Sequence, residues 1–263
     1  MRAVLRQLRF TNKAFWRNPA SAFFTFAFPL MFLVIFTSLL GGGEVPLQGT
    51  DLSQSTYFVG VMSAFGVISA CYTNIAITTV FSRDAGVLKR LRGTPLPSWA
   101  YLTSRVAHGM IVGAILVVVM MAFGALVYGV TLPTGGSLVS FVVAFLVGSL
   151  ALAALALALT GLVPNADAAP PIVNASILPL LFISGVFIPM GDDAPTWMTT
   201  VADIFPIKHL VDAMLNSFLG GYTLPGSGIH PFAMDWSDIA VVAAWGIAGL
   251  VIATRTFSWE PRR

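Results

Sequence analysis

Charge is scarce in this sequence. Asp, Glu, Lys and Arg make up 10% of its 263 residues, against about 25% in an ordinary soluble domain. Hydrophobic residues make up 57%, and the mean hydropathy is +0.85. A soluble enzyme and a disordered chain are poor readings of that balance. So is a nucleic-acid binder, because the net charge is only +3 and phosphate contacts need dense basic surface. One cysteine, Cys71, excludes an intramolecular disulfide and a cysteine-based metal cluster. The sequence holds no Gly-x-x-x-x-Gly-Lys-Ser/Thr phosphate loop, no His-Glu-x-x-His and no Gly-x-Ser-x-Gly. The chain therefore has no recognisable device for binding ATP, no expected metal site and no expected catalytic residue.

What it has is long uncharged runs. A bilayer core needs about 20 apolar residues per helix. Residues 18–43, 52–82, 106–166 and 168–191 hold no charge, and 239–254 form a shorter run between Trp236 and Trp259. The turn-rich stretch 132–137 divides the third run in two. This predicts an all-α, polytopic membrane protein with six spans near 20–40, 56–81, 106–129, 138–162, 170–190 and 237–257. The whole chain, 1–263, then forms one membrane domain: an interface helix over 1–19, spans 1 to 5 over 20–190, an outer segment over 191–236 and span 6 over 237–257. The basic head and first apolar run are too long for a signal peptide.

The basic residues orient these spans. With the N-terminus inside, all of the 14 Lys and Arg except Lys208 fall on the inner side, as the positive-inside rule requires. Both termini are then cytoplasmic. Arg2, Arg6, Arg9, Lys13 and Arg17 share one helical sector of about 80°, with Val4, Leu8, Thr11 and Phe15 nearly opposite. That predicts an amphipathic helix on the inner membrane surface. It serves equally as a topology anchor or as a surface for a cytosolic partner.

The inner loop between spans 2 and 3 reads Arg83-Asp84-Ala85-Gly86-Val87-Leu88-Lys89-Arg90-Leu91-Arg92-Gly93-Thr94-Pro95. Residues 83–92 fit three turns of helix, stopped by Gly93 and Pro95. On composition alone, this is either a topology signal or a helix that docks in a partner's groove. The run resembles the signature of the type-2 permease family of ATP-binding-cassette exporters, matching at Arg83, Asp84, Gly86, Leu88, Arg90, Leu91, Thr94 and Pro95. Ser82 stands where the family commonly has an acid. The stretches 182–190, 195–198 and 204–214, and more weakly Phe28-Pro29-Leu30, are also similar to the family's pattern.

The resemblance implies that Arg83, Asp84, Gly86, Val87, Leu88, Arg90, Leu91 and Arg92 form a coupling helix that receives the ATPase stroke. The ATPase, with its ATP and Mg, would be a separate chain, and a second permease, identical or related, would complete a dimer. It also implies outer helices between spans 5 and 6 that dip into the outer leaflet, and Asp193-Ala194-Pro195 reads as the start of the first, with helices over 196–203 and 206–219. Glycine and alanine richness points to a high-GC bacterial genome and so to the bacterial cell (inner) membrane. The uncharged path suits amphipathic or lipid-like cargo such as drugs or antibiotics, with lipid-linked glycan as the alternative. Candidate path residues are Asn74, Asn174, Phe182 and Phe187, although the two asparagines serve equally as packing groups. His108 reads as an interfacial histidine. The small residues of 144–161 predict close helix packing, within one subunit or between two. Two readings from other classes are a passive channel and a lipid-acting enzyme; for the enzyme, Asp192, Asp193, Asp203 and Asp212 with His209 and His230 are the available groups.

Overall fold

With no charge between residues 18 and 43, the chain can satisfy its backbone in lipid only by coiling. It does so as α2, Pro19–Leu40, which is apolar on every side and interrupted only by Pro29. The computed structural model describes residues 2–40, 44–47, 50–94, 96–187, 194–218 and 236–259. Pro95, residues 188–193, Gly220, Gly221, His230, Asp235, Arg262 and Arg263 lie outside the described residues.

Before α2 comes α1, Arg2–Trp16. After it, β1 (Glu44–Leu47) and β2 (Thr50–Ser53) form a small antiparallel hairpin with Val45 opposite Leu52. The second span is α3 (Gln54–Ile68), a π-helical turn (Ser69–Thr73) and α4 (Asn74–Asp84) in direct succession. Ser53 caps its start, its hydroxyl accepting from the Thr56 N–H at 3.3 Å. Then follow α5 (Val87–Arg92), α6 (Ser98–Tyr128), α7 (Gly135–Thr160), α8 (Ala169–Ile183), α9 (Thr196–Ile204), α10 (Pro206–Asn216) and α11 (Trp236–Thr256).

Five helices among the described residues are long and apolar enough to cross a membrane: α2, α3–α4, α6, α7 and α11. The fifth expected span differs from expectation. α8 has 15 residues, or about 22 Å at 1.5 Å per residue, short of a bilayer core of about 30 Å. It ends in a turn at Ser184-Gly185, where Gly185 takes φ 74°.

The second span is the centre of the bundle, and almost every side chain from Thr56 to Ile68 is buried. α6 packs along it through glycines. A Cβ at Gly124 would meet Val59 Cγ2 at 2.5 Å, and one at Gly109 would meet Ile75 Cδ1 at 2.7 Å and the Ala70 carbonyl at 3.3 Å. α7 and α11 are similarly close. A Cβ at Gly246 would lie 2.9 Å from Ala151 Cα, and one at Gly249 would lie 2.9 Å from the Leu155 nitrogen. The small residues of α7 thus serve packing inside the subunit. α2, by contrast, leaves Phe23, Phe24, Phe28, Met31 and Leu39 exposed, as a lipid-facing helix does.

α9 and α10 form a re-entrant pair at the end of the bundle opposite α5. Their corner reaches the level of Trp245, whose indole N–H donates to the Ile204 carbonyl at 2.8 Å. α10 then packs beside Gly148 of α7 and Gly60 of α3. The N-cap position of α9 is Pro195 and carries no side-chain cap. The expected cap, Asp193, lies outside the described residues.

Backbone atoms line the closest α7–α11 approach, so a side chain there cannot be accommodated by rotamer changes alone. Gly249→Ala is expected to destabilise the purified protein by about 1–3 kcal/mol. Gly113→Ala, whose Cβ would meet nothing nearer than 3.6 Å, should be neutral or stabilising by up to about 1 kcal/mol. Detergent thermal melts of both variants against the parent chain check this.

Candidate functional site

The loop expected to be one helix over 83–92 is two pieces joined by an elbow. α4 continues to Asp84, and the Ala85 N–H still donates to the Phe81 carbonyl at 3.0 Å. Gly86 then adopts φ 68°. Nothing lies within 4 Å of where its Cβ would be, so the handedness of the backbone, rather than space, requires glycine there. α5 starts immediately after. The Arg90 guanidinium folds back over the elbow, donating to the carbonyls of Ala85 at 3.2 Å and Gly86 at 3.4 Å. Thr94 closes the far end, its hydroxyl donating to the Leu91 carbonyl at 2.6 Å.

This geometry divides the expected coupling residues into two groups. Lys89, Arg90 and Arg92 are exposed on α5, Val87 and Leu91 are half-buried, and Leu88 is fully buried. Arg83 and Asp84 do not belong to α5 at all. Arg83 is 2% exposed. Its guanidinium donates to the carbonyls of Thr160 at 2.9 Å, Val163 at 2.6 Å and Pro164 at 3.3 Å. The Asp84 carboxylate accepts from the Ala166 N–H at 2.6 Å. Both side chains therefore grip the loop between α7 and α8 instead of facing outward. Arg105 of α6 secures the other flank, donating to Ser82 Oγ at 2.6 Å, Thr78 Oγ1 at 3.3 Å and the Tyr101 hydroxyl at 2.9 Å.

α1 lies at the same end. Arg2, Arg6, Arg9, Lys13 and Arg17 are all exposed on one side, and Thr11 and Phe15 are buried on the other. The buried side packs along α6, while Leu5, Phe10 and Trp16 of the same helix stay exposed. Phe15 meets His108 edge-on at 5.3 Å, and His108 is buried beneath α1.

Of the four candidate path residues, the structure brings together Phe182 and Phe187. Asn74 is half-buried at the start of α4, and Asn174 is exposed on α8. Phe182 is exposed, whereas Phe187 is buried among Phe32, Phe36 and Phe65, with 5.0 Å between the rings of Phe182 and Phe187.

The opposite end holds a polar cluster that local sequence patterns do not reveal. His209 Nδ1 lies 2.6 Å from the Asp238 carboxylate, and its Nε2 lies 2.8 Å from the Asp203 carbonyl. Lys208 pairs with Asp203. This accounts for the one basic residue that breaks the charge asymmetry. The hydrogen bond to Asp238 raises the His209 pKa above the ordinary imidazole value. Burial, with the Asp238 charge adding to it, pushes the Asp212 carboxyl up to about 7. These groups hold the re-entrant pair against α11. Among the described residues, no three His, Cys, Asp or Glu are grouped to hold a metal ion.

The profile of the ABC-2 type transporter family matches residues 3–219. The chain belongs to that family. Similar proteins include the putative transport permease YvfS of Bacillus subtilis, 24% identical over 93% of this chain and 93% of the relative. The daunorubicin resistance ABC transporter permease protein DrrB1 of Streptomyces coeruleorubidus is 27% identical over 80% of this chain and 73% of its own length. The probable multidrug ABC transporter permease YbhR of Escherichia coli is 26% identical, but the match spans 57% of this chain and 42% of the relative. This ABC-2 chain is thus a transport permease subunit and not an enzyme, and the ATPase is a separate subunit. Membership implies an ATP-binding-cassette partner and a membrane setting.

The ends of this ABC-2 permease differ in their response to pH. A protonated His209 stabilises the fold fully below the free imidazole range, and that contribution is lost as pH rises through the raised value. Asp212 gives up its proton near 3.8 when unfolded but near 7 when folded, so its ionisation also lowers stability as pH rises across that window. The melting temperature should therefore fall between pH 5 and pH 9. His209→Gln should be destabilised near pH 6 and approach the parent chain at pH 9, and Asp212→Asn should exceed it at pH 8. Melting curves across that range would show otherwise if the cluster did not titrate.

Proposed function

We propose that this chain is the membrane permease of an ATP-binding-cassette exporter in the bacterial inner membrane, with both termini cytoplasmic. It binds no ATP or Mg itself and moves amphipathic or lipid-like compounds outward as one half of a permease dimer. The observation that carries the reading is the elbow at Ala85-Gly86. It fixes a short helix at an angle to the central span and leaves Lys89 and Arg92 exposed. A helix too short to be stable alone, held by its own Arg90 and by a buried clamp, is suited to carry force. The exposed basic side of α1 lies at the same end and offers the ATPase a second contact.

The names of similar proteins support a drug-like cargo, because DrrB1 is named for daunorubicin resistance and YbhR as a probable multidrug permease. The mostly apolar, uncharged spans are consistent with such cargo. In the exit direction, the aromatic group of Phe32, Phe36, Phe65, Phe182 and Phe187 offers ring faces to an amphipathic compound.

Lys89→Glu/Arg92→Glu should reduce co-purification of the cognate ATPase about tenfold while membrane insertion is unchanged, as read by quantitative pull-down from solubilised membranes. Unchanged co-purification would remove α5 from the docking surface. Inside-out vesicles holding the intact complex should accumulate daunorubicin only with ATP. ATP turnover without accumulation would discard this cargo class and leave the permease assignment standing.

A further inference from the structure

The second span holds α8 at three levels. At the α5 end, Arg83 and Asp84 bind the loop over 160–166, which runs directly into α8. Midway, the Tyr72 hydroxyl of the π turn shares a 2.8 Å hydrogen bond with Ser176 of α8. At the far end, the Tyr57 hydroxyl donates to the Gly185 carbonyl at 2.7 Å, where α8 gives way to its turn. The partners run in opposite chain directions, 83, 72, 57 against 160–166, 176, 185, so the two elements are antiparallel and tied along the whole length of α8. Apolar contact fills in between the ties, with Val80 of α4 buried against Val163, Ala169 and Ile172. Apolar helix faces can slide past one another, whereas directional hydrogen bonds fix register.

The lowest tie is the strongest in kind. A guanidinium presents several donors in one plane, and here one group reaches three carbonyls. These belong to the last residue of α7 and to the loop that follows. The Asp84 carboxylate adds a charge-assisted bond to the same loop. Any displacement of α5 is applied at Gly86, two residues from Asp84 and three from Arg83.

We propose that Arg83 and Asp84 are positioning residues that make α8 move with the coupling helix. A stroke received by α5 then reaches the Phe182–Phe187 end of α8 through the second span. The inference rests on the reading of α5 as the ATPase contact, and assigns the two residues a transmitting role instead of a docking one.

The test uses the intact complex with its ATPase in nanodiscs, in a Cys71→Ala background. Spin labels are placed at Ala175→Cys on α8 and Ile247→Cys on α11, both exposed positions. α11 is a suitable reference because it packs on α7 and α10. Addition of ATP and vanadate should shift the α8–α11 distance in the otherwise unsubstituted complex. Arg83→Gln should lose more than half of that shift while the ATPase still co-purifies and still traps nucleotide. Arg83→Lys should be intermediate, because one ammonium cannot reproduce the planar fork. If Arg83→Gln fails to insert, Asp84→Asn alone decides, with a reduced shift expected. A full shift in Asp84→Asn together with a full shift or failed insertion in Arg83→Gln would overturn the proposal. So would a trapped complex in which α8 does not move. An ATPase that never associates with the unsubstituted chain would instead overturn the permease–ATPase reading itself.

Discussion

A guanidinium cannot be left unsolvated inside a membrane protein, and the fold around Arg83 meets that requirement with backbone. α7 ends at Thr160, and the last carbonyls of any helix have no partner within it. At the surface of a soluble protein, water would serve them. Here Arg83 serves the Thr160 carbonyl and two in the following loop, so the two terminal nitrogens of one side chain take up acceptors left over by a helix end. Asp84 supplies the complementary group by accepting from the Ala166 N–H. The consequence is mechanical. The chain leaves the second span from a fixed point, and the reversal of hand at Gly86 sends α5 off in a defined direction.

The other end of the bundle faces the same constraint and meets it with different chemistry. The re-entrant corner between α9 and α10 exposes helix-terminal groups at the depth of Trp245. Pro206 at the first turn of α10 has no N–H to satisfy, and the Trp245 indole serves the Ile204 carbonyl. His209 spans from the Asp203 carbonyl to Asp238. These polar ties include an imidazole, and the neighbouring Asp212 carboxyl is pushed up to about 7, whereas a guanidinium does not titrate in that range. The α5 end is thus held by a permanent charge, and the re-entrant pair by groups whose charge depends on the medium.

The helices were legible because absence of charge is a strong signal. Pro19–Leu40, Gly135–Thr160 and Trp236–Thr256 all lie within a few residues of the expected spans. The basic side of α1 was legible from spacing alone, but its buried side gave no indication that it would meet α6. Shorter-range errors have specific causes. Gly86 is tolerated within a helix on propensity, so 83–92 read as one segment, and only the positive φ reveals the elbow. Arg83 follows an uncharged run, which in sequence is indistinguishable from a topology signal. The uncharged run 168–191 reads as a full span, whereas the regular helix within it stops before Gly185, a common helix-stop residue. His209 and Asp238 are 29 residues apart, and no local pattern joins them. The small residues of α7 predicted close packing, but the partner, α11, could come only from the structure.

The π turn at Ser69–Thr73 bears on how far a force can travel along the second span. An i→i+5 turn is a local departure from the α-helical ladder and is a natural place for a helix to yield. It sits between the Arg83 clamp and the Tyr57 tie, where bending would absorb displacement before it reached the far end. Two features oppose that. Gly109 lets α6 press close on one side of the turn. On another, Tyr72, a residue of the π turn itself, is bound to Ser176 of α8. Because α8 is also fixed above and below that point, it acts as a splint across the weakest turn of the span. Bending at the π turn would have to break the Tyr72–Ser176 bond or drag α8 with it. The arrangement therefore favours movement of the second span and α8 as one body over flexure between them.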